Sequence, residues 1–493
     1  MQQDRTLREV LAGHVARQPE RPFLIAPETG RVLMYGEIDR QARLLASYLS
    51  ACGLKKGSKV ALYLPNGYQA MLLFLASMIG GYVIAPLNLL AQRSQLAYVL
   101  DHCDCEVLFT SREHEAALAA ALAEVTRKFE IVVIDADATD LFLPGKLPEA
   151  RWPELSPEDP ALLMYTSGTT GKPKGALLTH ANLIAGARAV AGWHGLGPTD
   201  RVLSSLPIYH INGQVIATTN TFVSGGSLIA PRKFHVSEWW PMVEKFEATW
   251  INMVPTIIAY LLNAAEPGKT YRFPKVRFGR SASAPLPPEH HVAFEQVFGI
   301  SVIECMGMTE TSSVAFANPQ DSSKRKIGSL GKPCGIEARV VAGELQLRGP
   351  NVMRGYYKSP EQTAASFTPD GWLLTGDLGR EDEDGYFYIT GRKKELIIKG
   401  GENIAPREID EALLRHPAVL EAAAVGVPDA NYGQDILACI VVKEGMSLSA
   451  DEMRAFCATE LGRYKTPREF RFVAELPKGP SGKIQRLKLA ELA

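Results

Sequence analysis

Along roughly the first 390 residues, short apolar runs alternate with segments whose apolar positions recur every three or four residues. The runs 60–64, 82–85, 106–110, 131–134, 202–206 and 249–254 read as strands, and 68–78, 183–191 and 239–246 as amphipathic or buried helices. Such alternation predicts an α/β fold with helices layered on sheets. No charge falls between Val60 and Gln92, but Pro65, Gly67, Gly80, Gly81 and Pro86 interrupt the stretch. It therefore reads as a buried strand–helix–strand unit, not a membrane span. Beyond Gly335 the pattern turns β-rich: 337–342 and 344–348 flank Gly343 as a hairpin. The polar run Thr390-Gly391-Arg392-Lys393-Lys394-Glu395 then suits a linker. After it, a helix at 406–415, strands at 420–427 and 436–442, a helix at 450–460 and the strand Glu469–Phe472 make a compact α+β unit. The expected organisation is a large N-terminal domain of α/β sheets with a β-rich subdomain (1–391), a hinge (392–394) and a small mobile α+β C-terminal domain (395–493).

Composition narrows the function classes. The 493 residues exceed one hydrophobic core. Lys plus Arg (53) nearly cancels Asp plus Glu (54), so nothing points to general nucleic-acid or anionic-membrane affinity. Seven scattered cysteines show no zinc spacing and fit a reducing compartment. The first residues lack a signal-peptide core and the last three are not a peroxisomal address, so a cytoplasmic protein is expected.

The densest chemistry lies at 165–175, Tyr-Thr-Ser-Gly-Thr-Thr-Gly-Lys-Pro-Lys-Gly, directly after the apolar Ala161-Leu162-Leu163-Met164. Three glycines, four aliphatic hydroxyls and two lysines, with no acidic side chain, suit a loop that wraps phosphate. The plain alternative is a surface turn. A Walker A loop is excluded: Gly168 and Gly171 are too close, and Pro173 stands after Lys172 where a hydroxyl should ligate magnesium.

Five further segments stand out in order: 206–213 (Leu-Pro-Ile-Tyr-His-Ile-Asn-Gly), 306–311 (Met-Gly-Met-Thr-Glu-Thr), Thr375-Gly376-Asp377, 399–404 (Lys-Gly-Gly-Glu-Asn-Ile) and 477–483 (Pro-Lys-Gly-Pro-Ser-Gly-Lys). Together with the phosphate loop, the chain resembles the adenylate-forming superfamily over nearly its whole length, and within it the 4-coumarate, malonate and oxalate CoA ligases. The resemblance implies an ATP-dependent carboxylic acid–CoA ligase. The acid attacks the α-phosphate of ATP to give acyl-AMP and pyrophosphate, and a thiol then displaces AMP. Such chemistry brings anions together, so it depends on positioning and cationic stabilisation. An alternative within the resemblance is a stand-alone adenylation enzyme that loads a carrier-protein pantetheine.

Carried over by motif, the resemblance implies these roles. Thr166, Ser167, Gly168, Thr169, Thr170, Gly171 and Lys174 cradle the β- and γ-phosphates. Glu310 holds Mg2+ and Thr309 touches the α-phosphate. Asp377 accepts the ribose hydroxyls, assisted by Arg392, while Ser283, Ala284, Pro285 and Met306 border adenine. Lys483 reaches the acid and the α-phosphate, and His210 lines and gates the acid pocket. Lys394 is the hinge about which the small domain swings, exchanging Lys483 for Gly400 and Gly401. Tyr432 packs on the pantetheine arm of coenzyme A. Arg468 either meets a phosphate of coenzyme A or is a solvated strand-edge charge. The partners implied are a small acid, ATP and CoA, with the chain a monomer or homodimer.

Two positions depart from the family pattern. Met306 stands where relatives place an adenine-stacking tyrosine. Arg280 leads the small-residue loop 281–286, where it either pairs with a second carboxylate on the substrate or is held in a domain ion pair. Ile211, Gln214, Asn252, Val254 and Met308 are further pocket candidates of mixed polarity, and they do not define which acid is used.

Overall fold

The computed structural model describes residues 5–138, 152–166, 172–478 and 484–492. Among these residues two large sheets dominate the N-terminal part. One has nine strands, in the order Lys332–Pro333, Phe316–Ala317, Val302–Met306, Phe278–Ser281, Trp250–Met253, Arg201–Leu203, Ser227–Ile229, Pro22–Ala26 and Arg31–Met34. The other has seven, running from Gly355–Tyr356 through Lys174–Thr179, Pro160–Thr166, Val83–Pro86, Lys59–Tyr63 and Cys105–Ser111 to Glu130–Ile134. The inner strands pair in parallel and read as apolar runs because both faces are covered. Between the sheets the helix Tyr68–Gly80 buries every residue, which explains the uncharged stretch seen in the sequence. No helix among the described residues is long and apolar enough to cross a membrane.

A four-stranded antiparallel sheet (Glu337–Val341, Glu344–Arg348, Leu373–Glu381, Phe387–Arg392) forms the β-rich subdomain. The last strand runs through Arg392, so Thr390-Gly391-Arg392 is strand and only the residues after it turn. The C-terminal unit is a separate five-stranded sheet with its own apolar cluster, which includes Ile397, Ile409, Leu413, Ala438, Ile440 and Met453. Its long helix Ala450–Lys465 opens with a reciprocal Ser449/Glu452 capping box, and it breaks at Gly462, whose φ is 74°.

Two local departures from the sequence pattern shape the interior. The strand expected at 202–206 stops at Leu203. The Asn66 amide explains this: it donates to the Leu206 carbonyl at 3.0 Å and accepts from the Ile208 N–H at 2.8 Å, standing in for a strand partner while the chain turns at Pro207. The following residues, Asn212–Thr219, form a π-helix. The Thr218 and Thr219 hydroxyls bond the carbonyls of Gly213 and Gln214, each at 2.8 Å and five residues back, which supports the wide turn. Gly213 is obligatory there, because a Cβ would stand 2.3 Å from the Pro207 carbonyl oxygen.

Candidate active site

Four groups of side chains carry the positions singled out in the sequence; three lie along the sheets and the β-rich subdomain, and the fourth is on the C-terminal unit. The first lies at the mouth of the hairpin that carries the phosphate loop. Thr166 and Lys174 are cross-strand partners there, while Ser167, Gly168, Thr169, Thr170 and Gly171 fall outside the described residues. The next strand over supplies Tyr356, whose ring lies under the Lys174 ammonium at 5.1 Å and whose hydroxyl donates to Glu310 Oε1 at 2.7 Å. Burial and the neighbouring carboxylate push the Tyr356 hydroxyl well above the usual phenol range, so it remains a donor. One tyrosine thus bridges the loop lysine and the carboxylate. Glu310 is buried in the one-turn helix Thr309–Thr311, which half-buried Thr309 opens, and Asn351 holds that turn through the carbonyls of Thr311 and Val314 at 2.8 Å each. Gly307, just before it, leaves room for the Ser313 carbonyl, which a Cβ would meet at 2.0 Å.

A magnesium ion fits this corner. Among the described residues no group of three or more ligating side chains exists, so the ion would take the Glu310 carboxylate and complete its shell from phosphate oxygens and water, as magnesium commonly does.

The second group is Asp377 and Arg392. They are cross-strand partners, with Arg392 Nε 2.8 Å from Asp377 Oδ1. Asp377 is fully buried, whereas the arginine is about half exposed. Met306, the end of its strand, pairs with Phe316 and packs with Met308 on the apolar cluster of the β-rich subdomain.

The third group lies on the inner face of the nine-stranded sheet. Parallel register places Asn252 and Arg280 side by side on that face. The Asn252 amide donates to Ser204 Oγ at 3.3 Å and to Asn212 Oδ1 at 3.0 Å, and Asn212 donates to Ser283 Oγ at 3.1 Å. Ser283 adopts a left-handed φ of 76°, which points its hydroxyl into this chain of bonds. From the same π-helix the Gln214 side chain reaches across to Met164 Sδ at 3.2 Å on the other sheet, and its Oε1 has no partner among the described residues. His210 ends the turn that leads into the helix, half-buried beside Tyr209. Ala284 is half-buried and Pro285 exposed at the rim. Val254 goes elsewhere, packing on the core behind the sheet.

Arg280 is the outlier of this face. It is fully buried, and among the described residues its three guanidinium nitrogens find no hydrogen-bond partner beyond a weak contact with the Cys305 thiol. Its neighbours are the Cys305 thiol, raised by burial and pulled the other way by the arginine, Cys334, and His194. Burial, then the charge of Arg280, holds His194 down to about 3, so it stays neutral and does not offset the arginine. A thiol is a weak acceptor, and a guanidinium does not deprotonate in proteins. Burying such a charge without an anion costs several kcal/mol. Behind the same strands, Glu304 accepts from the Leu286 N–H at 3.2 Å, and burial raises it to about 7. The C-terminal residues Arg407 and Glu411 also act on its charge, so the helix Pro406–Leu414 faces this end of the large domain.

The fourth group is on the C-terminal unit. Gly400 and Gly401 have left-handed φ of 55° and 87°. A Cβ on Gly400 would stand 3.3 Å from the Tyr432 ring and 3.4 Å from the Tyr464 hydroxyl, so two half-exposed tyrosines flank the glycine pair. Lys399 lies beneath both rings and is anchored to buried Asp435 at 2.6 Å. Arg468 pairs with Asp429, and Asp429 in turn accepts from the backbone of Asn431 and Tyr432 at 2.8 and 2.9 Å; Arg468 therefore braces the Tyr432 turn. Lys394 is exposed just past the last strand of the large domain. Lys483 lies outside the described residues. The sequence reading missed Tyr356, Ser204, Glu304 and Tyr464, all of which act through contacts between separate segments of the chain.

The fold and these four groups define an adenylating, two-domain architecture. The chain belongs to the AMP-binding enzyme family: its profile matches residues 11–357, and that of the AMP-binding enzyme C-terminal domain matches 408–483. The sulfoacetate–CoA ligase of Cupriavidus necator is 53% identical over 98% of this chain and 97% of its own length. An oxalate–CoA ligase of Arabidopsis thaliana is 34% identical over 91% of each chain. Among solved structures, ATP-bound MatB from Rhodopseudomonas palustris matches with a TM-score of 0.91 at 31% identity over 99% of each chain, and its apo form with 0.80.

Proposed function

We propose that this chain is an AMP-forming acid–CoA ligase whose acid is short and carries a second anionic group, a sulfonate or a carboxylate, at its far end. One observation carries the choice of acid: the buried guanidinium of Arg280, which has no anionic partner among the described residues, on the face that also carries Asn252 and Ser204. A distal anion would satisfy that fork bidentately. The sulfoacetate and oxalate specificities named for two relatives, both doubly anionic acids, support the reading.

In the first step the acid's carboxylate oxygen bonds to the α-phosphorus of ATP, and the bond to the β-phosphate oxygen breaks, releasing pyrophosphate. Arg280 orients the acid from its far end, so the reacting carboxylate points toward the phosphate loop. Lys174 and Thr166 bind the departing phosphates. Asp377 fixes the ribose through its hydroxyls. Glu310, with Tyr356 behind it, would hold a magnesium ion, which would neutralise phosphate charge. In the second step the thiol of CoA attacks the acyl carbon and AMP leaves. Gly400 and Gly401 let the pantetheine arm pass close to the backbone, between Tyr432 and Tyr464.

The experiment is pyrophosphate release with ATP and magnesium across sulfoacetate, malonate, oxalate, acetate, propionate and benzoate, with free CoA and a pantetheinylated carrier protein compared as acceptors. A preference for the doubly anionic acids of at least about tenfold, with CoA as acceptor, is expected. Equal use of acetate and sulfoacetate would remove the role of Arg280.

A further inference from the structure

Two of the seven cysteines stand one residue apart. Cys103 follows the helix Arg93–His102 and Cys105 opens the strand Cys105–Ser111, and both side chains are fully buried. Asp104 between them has a left-handed φ of 55°. A residue in that region spaces the Cα atoms on either side by about 5.5 Å, inside the range a disulfide spans. The two thiols already hydrogen-bond each other. That bond holds the Cys103 thiol below the usual range and raises Cys105, so Cys103 is the better nucleophile. A cavity of about 220 Å3 opens at Tyr98 and His102, which brings solvent to the residue beside Cys103.

The same few residues brace both arms of the hairpin that carries the phosphate loop. His102 Nδ1 lies 2.7 Å from the Tyr165 hydroxyl, on the incoming arm. Asp104 accepts from the Tyr357 hydroxyl at 2.7 Å, and the Tyr357 N–H donates to the Gly175 carbonyl, on the outgoing arm, at 2.7 Å. Lys358, at 2.6 Å, and Arg127 also pair with the Asp104 carboxylate. A covalent bond would draw the two sulfurs from hydrogen-bond distance to about 2.05 Å. In so small a ring the backbone of 103–105 must take up the change, and with it His102 and Asp104.

We propose that Cys103 and Cys105 form an oxidative modification site: a hydroperoxide closes them into a reversible disulfide, which pulls His102 and Asp104 from the phosphate hairpin and slows adenylation. The Cys103 sulfur attacks one peroxide oxygen and the O–O bond breaks, leaving a sulfenic acid and water. The Cys105 sulfur then attacks the Cys103 sulfur, the S–O bond breaks and a second water leaves. In sum two thiols give up two protons and two electrons, and hydrogen peroxide becomes two waters. A dithiol reverses the step by two exchanges and ends as a disulfide itself. Transient, regulatory disulfides of this kind are the sort found in reducing compartments.

The test uses the full-length protein, reduced and then treated with hydrogen peroxide, with peptide mass mapping and acid-dependent ATP–pyrophosphate exchange on the same samples. The peptide that carries Cys103 and Cys105 should lose two hydrogens, exchange should fall at least about fivefold through a higher KM for ATP, and a dithiol should restore both. After peroxide, Cys103→Ala and Cys105→Ala should each stay within about twofold of their reduced rates. Should either variant fail to fold, the time courses of disulfide formation and lost exchange in the wild type decide the same point, and they should coincide. A peptide that keeps both hydrogens, full exchange with the disulfide in place, or equal loss in the alanine variants overturns the site. The mass map reads the modification independently of the acid–CoA ligase assignment.

Discussion

Replacing Arg280 with methionine should make the resting protein more stable and the enzyme worse. The arginine is fully buried and meets no anion among the described residues, only the weak Cys305 thiol, so in the absence of substrate its charge is a net cost. Methionine has similar length, keeps the apolar stem and removes the charge. Replacing buried charged groups by apolar ones has stabilised proteins by about 1–4 kcal/mol, and a gain in that range is expected here. With substrate the sign reverses. Two charge-assisted hydrogen bonds to a distal sulfonate or carboxylate contribute about 1.5–3 kcal/mol each, so their loss should lower kcat/KM on sulfoacetate by roughly a hundredfold or more. Acetate, which has no distal anion, should be used as well as before or better. Thermal unfolding without ligand and pyrophosphate release on the two acids measure both halves. A variant that is destabilised and still prefers sulfoacetate would show that Arg280 has another partner and does not read the substrate.

Three other substitutions probe separate parts of the account. Tyr356→Phe removes the 2.7 Å bond to Glu310 and should raise the magnesium concentration for half-maximal pyrophosphate release by about three- to tenfold, with little change in thermal stability; an unaltered magnesium titration argues against that corner as the metal site. Glu304, raised to about 7 by burial, binds its proton more tightly folded than unfolded, so its contribution is present at low pH and lost as pH rises through about 7. Glu304→Gln should therefore stabilise the protein by up to about 3 kcal/mol at pH 8 and hardly at all at pH 4.5, read from denaturant unfolding at both pH values; a uniform shift contradicts the assignment. Gly213→Ala drives a methyl into the Pro207 and Leu206 carbonyls and should destabilise by more than about 2 kcal/mol, or yield no soluble protein; a variant with wild-type unfolding would show that the π-helix can shift to make room.

What could be read from the residues alone was chemistry local in sequence, and the α/β alternation. The run after Met164, the Thr309-Glu310 pair and Asp377 each carry their residue types within a few positions. What stayed hidden depends on register between distant strands. Tyr356 meets Glu310 because Gly355–Tyr356 adds to the strand after the phosphate loop, a pairing no short window contains. Arg392 and Asp377 lie fifteen positions apart and face each other across a hairpin. Arg280 looked equally like a domain ion pair until its strand neighbours proved to be Asn252 and Ile303, with no carboxylate among them. The stop of the strand at Leu203 was illegible because its cause, the Asn66 amide, is more than a hundred residues away. Arg468 read as exposed, and exposed it is, but its charge braces Asp429 beneath the Tyr432 turn.

The central claim is that this site joins a doubly anionic acid to coenzyme A through an adenylate. The most direct measurement is mass analysis of the thioester formed when ATP, magnesium and CoA are supplied with equal sulfoacetate, malonate and acetate in one mixture. The doubly anionic acyl thioesters should dominate, with AMP in equal amount. Acetyl-CoA as the main product, or thioester formed with ADP in place of AMP, would contradict it.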